Sequence, residues 1–204
     1  MLVSGSSGWN RSSSTRHALL SALLRGDASG YDLVKRFQPS AAHWWHPKPA
    51  QMYAELSRME ADGLVTAETV IQTKYPNKRV FSLTDTGRDE LRRFGSVPSP
   101  PGEFKDELVI KMLGIDVTDP AALLADVARR RKWCLERLRR DRGAVDTMVQ
   151  GQDADTYAQT ADDVGEYLWR LRSIGLMEES IAWCGTVERV IESRRLNRTS
   201  QRAG

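Results

Sequence analysis

The sequence predicts a mainly α-helical fold with a small β-hairpin in its first half and only helices in its second half. Three observations lead to this fold class. Apolar residues recur at helical spacing along most of the chain. Two stretches rich in β-branched residues, 64–71 and 80–83, interrupt that pattern once. Between the halves, a segment with three prolines and a glycine cannot continue a helix.

The composition is that of a globular protein. Its 204 residues, 40% hydrophobic and 28% charged, fit one large domain or two small ones. No apolar run approaches the roughly 20 residues that span a bilayer, and the N-terminus lacks the apolar core of a secretory signal. We therefore expect a cytoplasmic protein with no membrane partner. Cys134 and Cys184 lie outside any metal-binding spacing, so we expect buried thiols instead of a disulfide framework or a zinc site.

Charge and composition divide the chain into two domains. The first domain carries three more basic than acidic side chains, whereas residues 105–192 carry four more acidic than basic ones. The basic first domain suggests a polyanionic partner, although the net charge of the whole chain is only +3. The expected division is a flexible leader at 1–13, a first domain at 14–95, a proline-rich linker at 96–103, a helical domain at 104–195 and a basic flexible tail at 196–204.

Helix starts and stops set the order of elements in the first domain. Ser29 and Thr84 are candidate N-caps, Pro49 is a favoured first-turn proline, and Gly26 and Gly63 end helices. The expected elements are a helix at 18–24, a helix after Ser29, a helix from Pro49 to Asp62, strands at 64–71 and 80–83, and a helix from Thr84 through Phe94. Three helices, two strands and a helix are the order of a winged helix-turn-helix.

The second domain is expected to hold a short helix at 104–113 and two long helices at 121–142 and 156–195. A helix of about forty residues cannot bury both faces within one small chain, so the most direct partner is a second copy, in a homodimer. The expected buried stripes are Leu124, Val127, Ala128, Leu135 and Leu138 on the first long helix, and Tyr157, Ala161, Val164, Leu168, Leu171, Ile174, Met177, Ile181, Cys184 and Ile191 on the second.

The start of the third helix is where DNA reading would take place, because the first turns of this helix enter the major groove in a helix-turn-helix. Gln51 can make a bidentate contact to adenine, whereas Lys48 and Tyr53 more naturally hold phosphate. Two alternatives stay open. Lys48 and Gln51 can be solvated surface, and Tyr53 can be half-buried against the second helix.

The segment between the two strands is polar and cationic. Lys74, Lys78 and Arg79 surround Pro76 and Asn77, which form a turn-favouring pair. Such a loop can straddle a phosphate backbone or reach the minor groove. The alternative is a charged hairpin that only confers solubility.

Five motifs of the first half follow one another in a fixed order and spacing: the apolar first helix His17–Leu24, Ser29–Asp32, the helix opening Gln51–Leu56, Met59–Val65 and Phe81–Gly87. Together they make residues 16–94 resemble the PadR family of bacterial regulators. The second half resembles the longer-tailed subgroup of that family through 104–108 and 179–183, in a helical domain that dimerises.

The resemblance implies a homodimeric repressor that binds a palindromic operator in double-stranded DNA. It also implies release by phenolic or other aromatic small molecules. No cofactor is expected. The residues expected to contact DNA are Tyr31, Lys35, Lys48, Gln51, Tyr53, Lys74, Asn77, Lys78 and Arg79.

The segment before the third helix departs from the family pattern by carrying two adjacent tryptophans. Trp44 and Trp45 could stack on a flat effector. Alternatively, one indole anchors the loop in the core and the other covers the dimer arm. His43 and His46 have a metal-binding spacing but no evident third ligand, so no metal site is expected.

Two further function classes were weighed. The chain has no glycine-rich phosphate loop, nucleophile elbow or metal constellation, so we do not expect an enzyme. A winged-helix module that binds protein instead of DNA stays as an alternative. The run 129–142, with eight cations and two anions, is expected to be a solvated helix face, with a second nucleic-acid surface as the alternative.

Overall fold

The computed structural model describes residues 11–37, 47–74, 76–99, 106–162 and 164–203. The chain forms two compact units, Met1–Gly102 and Glu103–Gly204. The first unit contains α1 (Arg11–Leu23), β1 (Ala28–Ser29), α2 (Gly30–Phe37), α3 (Pro49–Ala61), β2 (Val65–Val70), β3 (Lys78–Leu83) and α4 (Asp85–Gly95). The second contains α5 (Glu107–Leu113), α6 (Pro120–Val149), α7 (Ala154–Thr160) and α8 (Val164–Ala203).

The sheet of the first unit has three antiparallel strands in the order β1-β3-β2. Strand β3 therefore lies in the centre and carries Phe81, whose ring is buried in the core. The hairpin pairs Val65 with Leu83 at its base and Val70 with Lys78 at its outer end. Two features differ from expectation. β1 was not predicted, and Lys78 and Arg79 are paired strand residues instead of residues of the hairpin turn.

Helices α2, α3 and α4 begin where the sequence places their starts. The Asp32 backbone N–H donates to Ser29 Oγ at 3.1 Å, and the Gly87 N–H donates to Thr84 Oγ1 at 3.1 Å. Gly63, with φ of +70°, ends α3 in the left-handed conformation that glycine favours. These cap predictions are confirmed. Helix α1 begins at Arg11, inside the segment that the sequence suggested as a leader.

The core of the first unit joins α1, α2, α3 and the sheet around one apolar cluster. Spacings of three and four residues bring one face of each helix to this cluster, as amphipathic helices require. The fully buried members are Leu19, Leu20, Leu33, Met52, Leu56 and Met59, with Val65 of the sheet at 1% exposure. The opposite face of α3 is thereby left in solvent.

In the second unit, α6 packs antiparallel on α8. Leu123 and Val127 near the start of α6 meet Val187 and Ile191 toward the end of α8, in one apolar cluster. Further along α6, a second cluster joins Cys134 and Leu138 to Met177. Both cysteines are buried in this contact, as the sequence predicts for Cys134 and Cys184.

The contact between α6 and α8 follows a heptad repeat, which corrects the expected stripes. Leu135 is 44% exposed and Ala128 is also exposed, whereas Leu123 and Cys134 are buried. A heptad seam alternates steps of three and four residues. This heptad repeat is hard to recognise in the sequence because several seam positions carry polar residues. The seam positions are 123, 127, 130, 134, 137 and 141 on α6 and 170, 173, 177, 184, 187 and 191 on α8.

Both long helices have ends that differ from expectation. The segment expected as one helix from 156 is divided into α7 and α8, because Ala161 is extended with ψ of 134°. Helix α6 continues past Gly143, around which a side chain would meet open space, and ends where Gln150 is left-handed. A glycine inside a helix costs only about 1 kcal/mol, which tertiary packing overcomes.

The basic run of α6 is held by ion pairs within the chain. Five of its arginines contact carboxylates, which was not among the expectations for this run. The pairs are Arg129 with Asp126, Arg130 with Asp106, Arg131 with Glu188, Arg137 with Asp141 and Arg142 with Glu178. Among the helices that the structure describes, none is long and apolar enough to cross a membrane.

Candidate nucleic-acid interface

The first turn of α3 presents Lys48 and Gln51 to solvent, as the sequence predicts. Lys48 is extended and precedes Pro49, which begins the helix. The Gln51 amide folds back, so that its Oε1 accepts the Lys48 backbone N–H at 3.1 Å. This bond satisfies one of the backbone donors that a helix start leaves unpaired. Gln51 therefore caps the helix while the residue as a whole stays exposed.

Tyr53 lies at the boundary between α3 and α2. Its side chain is 46% exposed, and its ring lies directly over Gly30, where an added Cβ would be 2.7 Å from Cε1. Tyr53 thus packs against α2, as the alternative has it, and also reaches solvent, while its contact with phosphate stays a prediction. Tyr31, the next residue after Gly30, is 67% exposed, and Lys35 one turn later is exposed as well.

The inner face of α3 is held by a buried carboxylate. Glu55, 2% exposed, accepts from Arg16 of α1 at 2.7 Å and from Arg58 at 2.7 Å. Arg16 also reaches Asp62 at 2.8 Å. Burial alone would lower the pKa of Arg16, but these two carboxylates raise it, so the guanidinium stays charged. Arg16 thereby fixes the second half of α3 against α1.

Another carboxylate is fixed at the start of α2. The Ser29 hydroxyl donates to Asp32 at 2.6 Å and is the main cause of a lowered pKa for Asp32, which burial opposes. The charges of Lys78 and Arg36 lower the pKa further. An ionised carboxylate therefore lies near the wing cation Lys78.

The hairpin turn is organised by Asn77. Its Oδ1 accepts the Gln72 backbone N–H at 3.2 Å, which closes the turn between β2 and β3. Lys74, Asn77 and Lys78 are all exposed. Asn77 thus has a structural role in the turn, while the two lysines extend into solvent.

Arg79 does not join those lysines. Its Nη2 donates to both carboxylate oxygens of Glu60 in the last turn of α3, at 2.5 and 2.6 Å. Its guanidinium also lies over the Phe81 ring, 5.4 Å from the centroid. The structure therefore brings Arg79 to α3, whereas the sequence suggested a free cation at the hairpin tip.

Other expected site residues lie outside the part of the chain that the structure describes. These are Trp44 and Trp45, the expected effector contacts, and the His43 and His46 pair. Within the described residues, no group of three or more His, Cys, Asp or Glu side chains could hold a metal ion.

Sequence reasoning missed Arg16, Glu55, Glu60 and Gly30. One signal was available, because Glu55 interrupts the apolar stripe of α3 and has a cation three residues later. A carboxylate at a buried position requires a partner. The partner from α1 and the approach of Tyr53 to Gly30 depend on tertiary packing, which no local pattern records.

An α1-α2-α3 core, a β-wing beside the third helix and a following helical unit define the class of winged-helix transcriptional regulators. The model of the transcriptional regulator PadR-like family matches residues 19–93, and the model of the virulence activator alpha C-terminal region matches residues 104–192. Residues 19–93 therefore form a domain of the PadR-like family of transcriptional regulators, which confirms the resemblance drawn from the motifs of the first half.

Two relatives match along nearly their whole length. The negative transcriptional regulator PadR of Bacillus subtilis is 26% identical over 87% of this chain and 97% of its own. The probable transcriptional regulator Rv1176c of Mycobacterium tuberculosis is 29% identical over 88% of this chain and 98% of its own.

Solved structures share the fold. Bacillus subtilis PadR in complex with operator DNA has a TM-score of 0.72 at 24% identity, covering 86% of this chain and 98% of that one. The Vibrio cholerae virulence activator AphA has a TM-score of 0.66 at 22% identity, covering 88% of this chain and 99% of that one. Bacillus subtilis PadR has also been solved with p-coumaric acid, with a TM-score of 0.67 at 21% identity over 90% of this chain and 98% of that one.

Proposed function

We propose that this regulator is a homodimeric repressor that binds a palindromic operator in double-stranded DNA and leaves it when a small aromatic acid binds. In this proposal residues 14–95 bind DNA, 96–103 link the domains, and 104–195 form the dimer and respond to the effector. Helix α3 enters the major groove, and the wing contacts the backbone or the minor groove.

The observation that carries the DNA-binding part is the exposed start of α3. Lys48 and Gln51 lie at the helix N-terminus, where backbone N–H groups and the helix dipole favour phosphate. Tyr53 packs on Gly30 beside the exposed Tyr31, so phenols of α2 and α3 lie close together. The side chains proposed to contact DNA are Tyr31, Lys35, Lys48, Gln51, Tyr53, Lys74, Asn77 and Lys78.

The dimer is supported by a second apolar face on α8. Its seam side is covered by α6, but Leu168 and Leu171 stay 56% and 39% exposed in the single chain. Gly175, Ala182 and Val190 continue the same exposed side at helical spacing. We propose that a second copy covers this face.

The repressor and effector parts are supported by one relative. Bacillus subtilis PadR bears the description of a negative regulator and has been solved with operator DNA and with p-coumaric acid. A phenolic carboxylic acid is therefore the effector chemistry to test first.

The decisive experiment is a gel shift with the DNA immediately upstream of its own gene, over a series of salt concentrations. We expect binding that weakens steeply with salt, and complexes that dissociate when p-coumaric acid is added. Each lost phosphate contact should flatten the plot of log affinity against log salt by about 0.9. Lys48→Ala should show that flattening.

A matched control is Lys132→Ala, which removes an exposed cation from α6 in the other unit. We expect an unchanged slope for this variant. Absence of DNA binding at low salt would contradict the proposal and would favour a winged-helix module that binds protein.

A further inference from the structure

We propose that Arg79 and Glu60 are positioning residues that fix the wing to the end of the recognition helix, and that Arg79 does not contact phosphate. This inference rests on the proposed DNA binding. It reassigns one of the wing cations from a contact with DNA to an ion pair within the protein, and it gives Glu60 a role in DNA binding.

Strand geometry separates the two neighbouring cations of β3. Successive side chains of a β-strand point to opposite faces of the sheet. Arg79 shares its face with Phe81, which is 4% exposed and belongs to the core that α3 also lines. Lys78 must then point to the other face. Two adjacent residues of the same charge therefore cannot have the same partner.

The contacts of Arg79 hold its charged group against α3 and the core ring of β3. Nη2 donates to both oxygens of Glu60, and the guanidinium carbon lies 5.4 Å from the centroid of the Phe81 ring. Charge-assisted hydrogen bonds and a cation–π contact favour this arrangement over a freely moving side chain. Nη2 could bind a phosphate only by leaving Glu60, and a phosphate that approached the other guanidinium nitrogens would be repelled by the nearby Glu60 carboxylate.

The position of the pair explains what it controls. Glu60 is in the last turn of α3, and Arg79 pairs with Thr69 in the outer half of the hairpin. The pair thus joins the recognition helix to the part of the wing beyond the core. A fixed angle between helix and wing allows both to reach DNA together, so that Lys74 and Lys78 are presented without a further ordering cost.

The test compares Arg79→Ala with Lys78→Ala, which removes the same charge from the next residue and the other face. Affinity of the full chain for duplex DNA from upstream of its own gene is measured over a salt series. We expect Lys78→Ala to flatten the log–log slope by about 0.9. Arg79→Ala should weaken binding by about two- to fivefold, the value of an exposed ion pair, with the slope unchanged.

Two further variants separate positioning from general stability. In the Arg79→Ala background, Lys78→Ala should weaken binding less than it does in the wild type, because the wing is no longer held. The exchanged pair, Glu60→Arg with Arg79→Glu, keeps the net charge and should restore affinity toward the wild-type value. If the pair contributed only to stability, Lys78→Ala would weaken binding equally in the wild type and in the Arg79→Ala background.

A slope that flattens for Arg79→Ala as it does for Lys78→Ala would overturn the inference, as would loss of binding in the exchanged pair. If the wild type binds no DNA, the proposed function fails but the pair can still be tested. Glu60→Ala and Arg79→Ala should each lower the melting temperature, and the double variant should lower it no further. Additive shifts in melting temperature would show that Arg79 and Glu60 do not interact, and would overturn the inference.

Discussion

Gln51 has a single amide oxygen for two roles. In this structure Oε1 accepts the Lys48 backbone N–H, which caps α3. A bidentate contact to adenine would need the same oxygen to accept from the base. An amide oxygen has two lone pairs, so the cap persists only if the base approaches the lone pair that the Lys48 N–H does not use; any other approach requires Gln51 to release the cap.

This competition predicts different outcomes for two substitutions of Gln51. Gln51→Ala removes both roles and should relax base preference more than it weakens nonspecific binding. Gln51→Glu keeps the capping oxygen but cannot donate to adenine, so stability should stay near the wild type while adenine preference is lost. Operator selection and thermal melting measure the two effects. Identical motifs selected by the wild type and Gln51→Ala would exclude Gln51 as a reader.

Gly87 lies where α4 meets the base of the hairpin. An added Cβ would be 2.2 Å from the Leu64 carbonyl oxygen and 2.7 Å from Leu83 Cδ1. Gly87→Ala should therefore destabilise the protein by about 1–3 kcal/mol, measured by urea unfolding. Gly95→Ala in the same helix is the control, because nothing lies within 4 Å of its added Cβ. It should be neutral or slightly stabilising.

At the scale of elements, α5 is tied to α6 through its N-cap. Asp106 accepts the Leu108 N–H at 3.0 Å and binds Arg130 of α6 through two hydrogen bonds, at 2.5 and 3.0 Å. The bond to Arg130 is the main cause of a lowered pKa for Asp106, which burial opposes. A lowered pKa means that the ionised form stabilises the folded state.

The sign of this shift predicts a pH-dependent effect of Asp106→Asn. Asparagine still caps the helix but loses the charge, so the variant should be less stable than the wild type by about 1–2 kcal/mol at pH 7. The contribution is complete above the ordinary carboxyl pKa and is lost as pH falls through the lowered one. The difference in urea midpoint should therefore shrink below about pH 4. A difference that grows toward acid would contradict the ion pair.

The elements of the first unit could be predicted from sequence because their signals are local. Caps at Ser29 and Thr84, Pro49 and the left-handed Gly63 mark ends that the structure confirms. Strand β1 has only two residues and forms because β3 offers it a free edge, so it leaves no pattern in the sequence.

The second unit was harder to predict because its signals depend on the partner helix. A stripe with a period of 3.6 residues and a heptad seam diverge over a helix of this length. Arg130, Arg137 and Asp141 at seam positions conceal the heptads, since charged residues suggest a solvent face. In the candidate site, too, local features could be predicted and contacts between distant elements could not. The exposed start of α3 could be predicted, but the ion pair of Arg79 with Glu60 could not.

At the scale of the whole molecule, the exposed face of α8 predicts the oligomeric state. Leu168→Glu places a charge in the proposed dimer face, where it would be desolvated without a partner, so we expect monomers and greatly weakened binding to a palindromic site. Sedimentation velocity measures the first effect and gel shift the second. Ile71→Glu, an exposed apolar position of the other unit, should leave the dimer intact. If the Leu168→Glu variant still forms a dimer, this face of α8 is not the dimer interface.

The buried charges between α6 and α8 also limit how this unit can rearrange. Asp141, 2% exposed, accepts from Arg137 at 2.7 Å, Ser173 at 2.6 Å and Arg170 at 3.2 Å. Sliding one helix by a turn would separate Asp141 from Ser173 and Arg170 of α8 and leave it with Arg137 of its own helix, at a cost of several kcal/mol for a buried charge that loses these partners. The register of the two helices is therefore discrete. Any alternative packing must replace both bonds from Asp141 to α8 at once, which disfavours a gradual shear between α6 and α8.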